Sequence, residues 1–387
     1  MKKSFLISLL LILTYALSAQ NVEITNGPYL QALGENEVTI VWTTNVNALS
    51  WVELADGNIE SFYGKEHPKY YETTHGKRIT GKLHRVKIKG LSPGQTYKYR
   101  IYSQAVVSND PYNVLYGNIA ATDVYRKQPL RFRTLEPSKS TIKAYVVNDI
   151  HGKNDNLRAM LKDVSFETTD LVIFNGDMVD HLVDESAIFN GFMNTSIDLF
   201  ASEVPVYYAR GNHETRGAFS TEFPKYFPTN NDKLYYSFRQ GPICFIFLDS
   251  GEDKPDSSIE YFGLSDFDEY RTRQQEWLRE VVSTEEYRSA PFKVVILHIP
   301  PKGTWHGAID LKNKTLPVLN EHSVDVMLSG HTHNFDYITP ENYPSTSFPI
   351  LVNDNETYLL IEATNDKMII QQKSMTDKIL NEFEYAK

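Results

Sequence analysis

Five short polar clusters in this 387-residue chain carry side chains suited to holding cations and moving protons. Asp149 and His151 form an Asp-x-His pair, and Asn175-Gly176-Asp177 supplies a second carboxylate. Gly211-Asn212-His213-Glu214 adds an amide and an imidazole, His298 stands alone, and Gly330-His331-Thr332-His333 closes the series. Carboxylate, amide oxygen and imidazole all bind first-row metals, and a mixed N/O set suits Zn, Mn or Fe rather than Ca. Alternate side chains of an extended segment share a face, so His331 and His333 can reach one ion. There are more ligands here than one ion can use, and two ions sharing a carboxylate is the economical reading. Singly, each cluster has an ordinary explanation. Asp-x-His arises by chance, Gly-Asn-His is often a plain turn, and a strand-end His more often just satisfies its hydrogen bonds. Their conjunction, in this order and each after an apolar run, points to a metal site.

Those apolar runs are the elements that must position the clusters. Residues 144–147, 171–174, 204–208, 243–248, 294–297 and 324–328 read as buried strands. Residues 157–164, 186–200 and 273–282 read as helices, the last with Trp277, Leu278, Val281 and Val282 at core-packing spacing. Alternating strands and helices imply an α/β sheet covered by helices. The clusters fall beyond carboxyl ends of the strands, where open α/β sheets place their ligands. Residues 358–361 and 368–372, separated by Asn365-Asp366, read as a closing hairpin, and the tail after Met375 shows no pattern.

Residues 22–134 read differently, as short strands and turns. Runs at 38–42, 83–88 and 97–102 have β character, and Gly90-Leu91-Ser92-Pro93-Gly94 marks a reversal. The spacing suits an antiparallel sandwich of about 110 residues. Residues 108–127 read as a long loop, and Glu136-Pro137-Ser138-Lys139-Ser140 as a linker.

At the start, Lys2 and Lys3 precede an apolar run over 5–17 and the small residues Ser18 and Ala19. That order predicts a secretory signal peptide cleaved near Ala19, hence export to a periplasm or out of the cell. The run is short for a bilayer span of ~20 residues, no nearby Cys could accept a lipid, and no later run is long enough to span. The lone Cys244 excludes an internal disulfide and reads as a small buried apolar group rather than a thiolate nucleophile. A net charge of −10 without long Lys/Arg runs argues against a nucleic-acid partner. It does not argue against a phosphate substrate, because bound cations reverse the local field. Oligomeric state is not legible.

The series Asp-x-His, Gly-Asp, Gly-Asn-His-Glu, lone His and Gly-His-x-His resembles the calcineurin-like metallophosphoesterase superfamily. Gly27-Pro28-Tyr29-Leu30-Gln31, Val41-Trp42-Thr43-Thr44, His84 and Tyr97-Lys98-Tyr99 resemble the fibronectin-III-like N-terminal domain of purple acid phosphatases. With the signal peptide at 1–19 and a tail at 375–387, the resemblance implies an all-β fibronectin-III-like sandwich at 20–134 and a four-layer α/β/β/α catalytic sandwich at 142–374. It implies that Asp149, His151, Asp177 and His333 hold one divalent or trivalent metal ion. Asp177 then bridges to a second ion held by Asn212, His298 and His331. His213 is implied to contact the phosphoryl oxygen or leaving group. Asp180 matches an Asp that, in the Ser/Thr-phosphatase branch, hydrogen-bonds that histidine and favours its protonated form. Otherwise Asp180 is an exposed Asp at a helix start.

Two departures are visible. Purple acid phosphatases carry a Tyr ligand at the position of Asp180 and lack the His of Asp-x-His, here His151, so an iron–tyrosinate centre does not carry over. The phosphatase branch has Arg after that Asp, where this chain has His181. Arg210 either supplies that charge or is a buried structural Arg. Trp305 and His306 form either a substrate rim or a solvent-facing loop. The implied reaction is in-line attack on phosphorus by a water acidified between the two metals, His213 aiding the departing alkoxide. A small phosphomonoester is the favoured substrate. A phosphodiesterase or nucleotidase on the same centre is the enzymatic alternative, and an exported binding protein with a structural metal is the non-enzymatic one.

Overall fold

The computed structural model describes residues 21–59, 62 and 65–387, so the expected signal peptide lies outside the described residues. Two compact units emerge, one built from segments up to Pro28, 40–87 and 97–130, the other from 29–39, 88–96 and 131–387. Among the described residues, no helix is long and apolar enough to cross a membrane.

Nine strands make up the β-rich N-terminal region: β1 (Ile24–Gln31), β2 (Glu37–Asp56), β3 (Lys69–Tyr71), β4 (Thr73–Thr74), β5 (Lys77–Arg78), β6 (Thr80–Lys89), β7 (Thr96–Asp110), β8 (Asn113–Ala121) and β9 (Leu130–Arg133). The path β1-β2-β7-β8 is extended by β3 and β6 on β2 and by β9 on β7, while β4 and β5 pair separately. Along β7 the residues Tyr97, Tyr99, Ile101 and Ser103 are buried while those between them are partly exposed, the period-two signature of a half-buried strand. Ser103 Oγ receives the indole N–H of fully buried Trp42 at 2.9 Å and meets Ser50 Oγ at 2.8 Å. The long loop expected over 108–127 is instead mostly the β7–β8 hairpin. Its Val114, Leu115, Tyr116 and Ile119 stand exposed on an edge strand, so no buried alternation announced it.

The second unit contains two six-stranded sheets. One has the order β12-β11-β10-β19-β20-β21, where β10 is Thr141–Val147, β11 Leu171–Asn175, β12 Val206–Ala209, β19 Thr357–Thr364, β20 Lys367–Ser374 and β21 Ile379–Ala386. The other runs β13-β14-β15-β16-β18-β17, with β13 at Tyr236–Gln240, β14 at Ile243–Leu248, β15 at Phe292–Leu297, β16 at Val326–Ser329, β17 at Asp336–Ile338 and β18 at Ile350–Val352. β10, β11 and β12 are mutually parallel, as are β14, β15, β16 and β18. The expected hairpin is the β19–β20 pair. The C-terminal segment, which the sequence left without an element, extends the first sheet as β21.

The sheets face each other, with Tyr207 of β12 stacked 4.1 Å from Phe238 of β13. Helices cover the outer faces. Leu278 and Val281 from Phe267–Val281 join Ala308, Leu311, Leu316 and Leu319 against Ile246, Leu248, Val295 and Leu297, with Trp277 packed at the edge. Over the first sheet lies a helical run in which α turns (Glu185–Ile188, Asn194–Ser196) alternate with π turns (Phe189–Met193, Ile197–Ala201). Phe192 from this run meets Phe174 of β11 edge-on at 5.6 Å. The architecture is thus α/β/β/α, and the carboxyl ends of β10, β11, β12, β15 and β16 come together between the sheets.

Candidate metal centre

Each polar cluster follows the strand assigned to it. Asp149 and His151 leave β10, Asp177 leaves β11, Asn212 and His213 follow β12, His298 follows β15, and His331 and His333 follow β16. The loops turn so sharply that Asp149, His151, Asp177, His331 and His333 all have positive φ, between 49° and 72°. Non-glycine residues there cost of order 1–3 kcal/mol each and persist only where the surrounding structure enforces them, commonly at functional sites. Two glycines allow the close approach. A Cβ on Gly211 would lie 2.2 Å from Asp177 Oδ1, and one on Gly330 would lie 2.5 Å from Asp149 Oδ2.

Among the described residues the ligand-type atoms gather into three groups, each within 4.8 Å: Asp149, His151 and His333; Asp177, His298 and His331; and His151, Asp180 and His213. The first two reproduce most of the two ligand sets implied by the sequence. His333 Nε2 is 3.2 Å from Asp149 Oδ1 and 3.1 Å from His151 Nε2. His298 Nε2 is 2.9 Å from Asp177 Oδ2 and 3.9 Å from Asp149 Oδ1.

Polar contacts behind these atoms aim them inward. His298 Nδ1–H donates to the Asn175 carbonyl at 2.7 Å, and His151 Nδ1–H donates to Asp180 Oδ1 at 2.8 Å. Both arrangements turn Nε2 to the centre, as supporting hydrogen bonds do at metal sites. Asp149 Oδ2 accepts from Asn148 Nδ2 and from the His331 amide. Asp149 Oδ1 and Asn212 Oδ1 are buried yet make no hydrogen bond, and the equally buried His298 Nε2 faces the Asp177 carboxylate. Leaving such atoms unpartnered costs free energy, and these are the atoms that cations would engage. The donor set therefore fits a pair of metal ions.

The electrostatics agree. Burial would hold the His298 imidazole low, but Asp177 and Asp149 outweigh it and push it up to about 10. Burial, aided by His298, pulls His331 down to about 4. Burial works against the Asp149 carboxylate, yet the charge of His298 holds it below the usual range. Buried carboxylates at this density demand positive charge.

A calcineurin-like phosphoesterase sequence pattern matches residues 142–335, just over half of the chain. The chain belongs to the calcineurin-like phosphoesterases. Ahead of that match, residues 26–114 fit the purple acid phosphatase N-terminal domain. Purple acid phosphatase 21 of Arabidopsis thaliana is 22% identical over 338 residues, covering 81% of this chain and 66% of its own length. Purple acid phosphatase 22 of the same plant is 24% identical, covering 73% of this chain and 62% of its own. Acid phosphatase type 7 of Mus musculus is 26% identical, covering 56% and 47%. This calcineurin-like chain thus spans less than two thirds of the length of each of these relatives. A solved structure from Streptococcus pneumoniae, titled a predicted phosphoesterase, is similar with a TM-score of 0.32 and 12% identity over 65% of this chain and 100% of its own.

One expectation for this calcineurin-like chain is corrected, and three others find their structural setting. The Asp180 carboxylate does not meet the His213 side chain; His213 Nδ1–H donates to the Asp180 main-chain carbonyl at 2.9 Å. Arg210 is the buried structural Arg, paired with Asp249 at 2.8 Å and lying over Phe267. Cys244 is buried, and burial pushes its thiol up to about 12, far from thiolate reactivity. His306 pairs with Asp268 at 2.7 Å, whereas the Trp305 ring sits edge-on 5.2 Å from that of His331.

Two residues had escaped the sequence reading. Glu214 accepts from the amides of Asp177, Met178 and Gly211 and from Tyr208 Oη, at 2.8–3.0 Å, tying two ligand loops together. Arg216 is gripped by both Glu252 oxygens at 2.9 Å and points Nη1 at His213 Nε2, 3.2 Å away. The glutamate inside Gly-Asn-His-Glu was a signal for the first. Nothing local marked the second, whose partner lies 36 residues on.

Proposed function

We propose that this chain is an exported metal-dependent hydrolase of phosphate esters, with phosphomonoesters favoured. The observation that carries the reading is the pair of buried, unpartnered oxygens Asp149 Oδ1 and Asn212 Oδ1, set among two clustered triads of carboxylate and imidazole. Asp149, His151, Asp177 and His333 would hold one ion, and Asp177, Asn212, His298 and His331 a second, each of them Fe, Mn or Zn. When bound, such a pair supplies an acidified water as nucleophile and neutralises phosphoryl oxygens.

The chain's own residues do the rest. Because His213 Nδ1–H is committed to the Asp180 carbonyl, its Nε2 is the atom turned inward, 3.8 Å from Asp177 Oδ2. There it would meet the phosphoryl oxygen or the departing alcohol, with the Arg216 guanidinium adding positive charge; a proton taken up at Nε2 for the alcohol displaces the Arg216 contact. Preference for monoesters is supported by the purple-acid-phosphatase-like N-terminal region, an association rather than a geometric argument. Export is supported by the signal-like composition of residues 1–19. Residues 20–134 and 142–374 are the proposed accessory and catalytic domains.

The test is reconstitution. Protein starting at Gln20 is stripped of metal, reloaded with Zn, Mn or Fe singly, and offered aryl phosphate mono- and diesters. Turnover of the monoester above the diester is expected, and silence under every metal would overturn the reading.

A further inference from the structure

We propose that residues 259–264 and Trp305 form a subsite for the alcohol portion of the substrate, and that this portion is aromatic or a long aliphatic chain. The proposal rests on the phosphate-ester reading above. It starts from side chains in the wrong place for a soluble surface. Ile259, Phe262 and Leu264 are 83%, 85% and 90% exposed within six residues, and Trp305 is 55% exposed. Scattered apolar residues on a surface need no explanation, whereas three large ones exposed within one six-residue loop do.

Backbone conformation gives a second, independent indication. Phe262 has φ 50° and ψ 30°, the left-handed region that a bulky aromatic ordinarily avoids. The turn is closed by Phe262 N–H donating to the Ile259 carbonyl at 3.2 Å and Leu264 N–H to the Tyr261 carbonyl at 2.9 Å. The strain holds an aromatic ring out in solvent, where it gains no packing. Strain of this kind persists where function needs it.

The loop is wired to both sides of the metal centre. Tyr261 Oη lies 3.0 Å from Glu252 Oε2 and 3.1 Å from Asp253 Oδ1. Glu252 grips Arg216, and Arg216 meets His213. On the other side, the Gly307 amide donates to the Asp253 carbonyl at 2.9 Å, joining the loop to the segment that carries Trp305. Trp305 in turn abuts His331. An ester with its phosphoryl group on the cations and its alcohol directed past His213 would extend towards Arg216 and Glu252, the chain of contacts that ends on Tyr261 within this apolar loop. Burying a ring or chain there removes apolar surface from water, which favours binding.

Ile259→Ser, Phe262→Asn and Leu264→Ser are combined in one variant; Asn tolerates the left-handed backbone, and the exposed positions leave the melting temperature as a check on folding. The readout is the ratio of kcat/KM for 2-naphthyl phosphate to that for glycerol phosphate. A fall of about tenfold or more in that ratio is expected, and an unchanged ratio overturns the proposal. If the parent chain hydrolyses neither ester under any metal, the phosphate-ester reading fails. The subsite is then judged by titrating naphthyl phosphonate against indole fluorescence, with Trp305→Phe as the reference. Binding weakened about tenfold in the triple variant supports the subsite, and equal binding overturns it. An unchanged ratio accompanied by lost adhesion to phosphatidylcholine vesicles would assign the patch to a lipid surface instead.

Discussion

The Asp180 carboxylate lies 2.8 Å from His151 Nδ1, while His213 reaches only the carbonyl of the same residue. One residue therefore steadies two imidazoles through two different groups, and only one of those groups can be removed by mutation. Asp180→Ala is expected to weaken cation retention about 10–100-fold and to leave the His213 hydrogen bond in place. Competition with a graded series of chelators measures this. A variant that kept its metal and lost only kcat would place Asp180 behind His213 after all.

His213 and Asp177 should separate cleanly. His213→Ala keeps both ions, read by elemental analysis, and lowers kcat by about 10²–10⁴-fold. Asp177→Ala loses metal and turnover together. Full activity in the His213 variant would refute its assignment.

Glu214 is expected to matter more to the fold than to the chemistry it adjoins. Truncation to Ala leaves three main-chain amides and the Tyr208 hydroxyl without their acceptor in a buried place. Such losses cost of order 3 kcal/mol or more. Chemical denaturation should register it in metal-free protein, and Glu214→Gln should recover part of the loss.

In the N-terminal region, burial pulls His84 down to about 3 while its Nε2 meets Thr44 Oγ1 at 2.9 Å. The folded chain keeps this imidazole neutral when the unfolded chain, with a value near the ordinary 6.5, already binds a proton. The stabilisation is complete above about pH 6.5 and is lost as pH falls towards about 3, at up to ~1.4 kcal/mol per pH unit. His84→Gln should flatten the urea midpoint in that window relative to the parent; superimposable slopes would show that His84 does not govern it.

The parallel strands were legible because strands covered on both faces are apolar throughout, and the polar clusters stand out at their ends. β12 and β16 begin two residues later than the apolar text does, since Val204-Pro205 and Val324-Asp325 belong to the turns before them. β8 and β21 went unread because their side chains are largely exposed, which removes the contrast that periodicity needs. Similarly, the π turns of 189–193 and 197–201 look helical in sequence, where a residue spacing of four or five cannot be told apart. Ligand identities were carried by motif order. The direction of the Asp180 carboxylate was not, since its partner His151 lies on another loop 29 residues away. Nor was the Arg216–Glu252 grip, a contact that exists only once two distant loops have been folded together.

The positive φ angles at Asp149, His151, Asp177, His331 and His333 also set stability and chemistry against each other. Glycine or asparagine would rest more easily at each of these places. A library of variants screened for heat resistance alone would drift towards those residues, and the hardiest survivors would be the ones whose cage had been emptied.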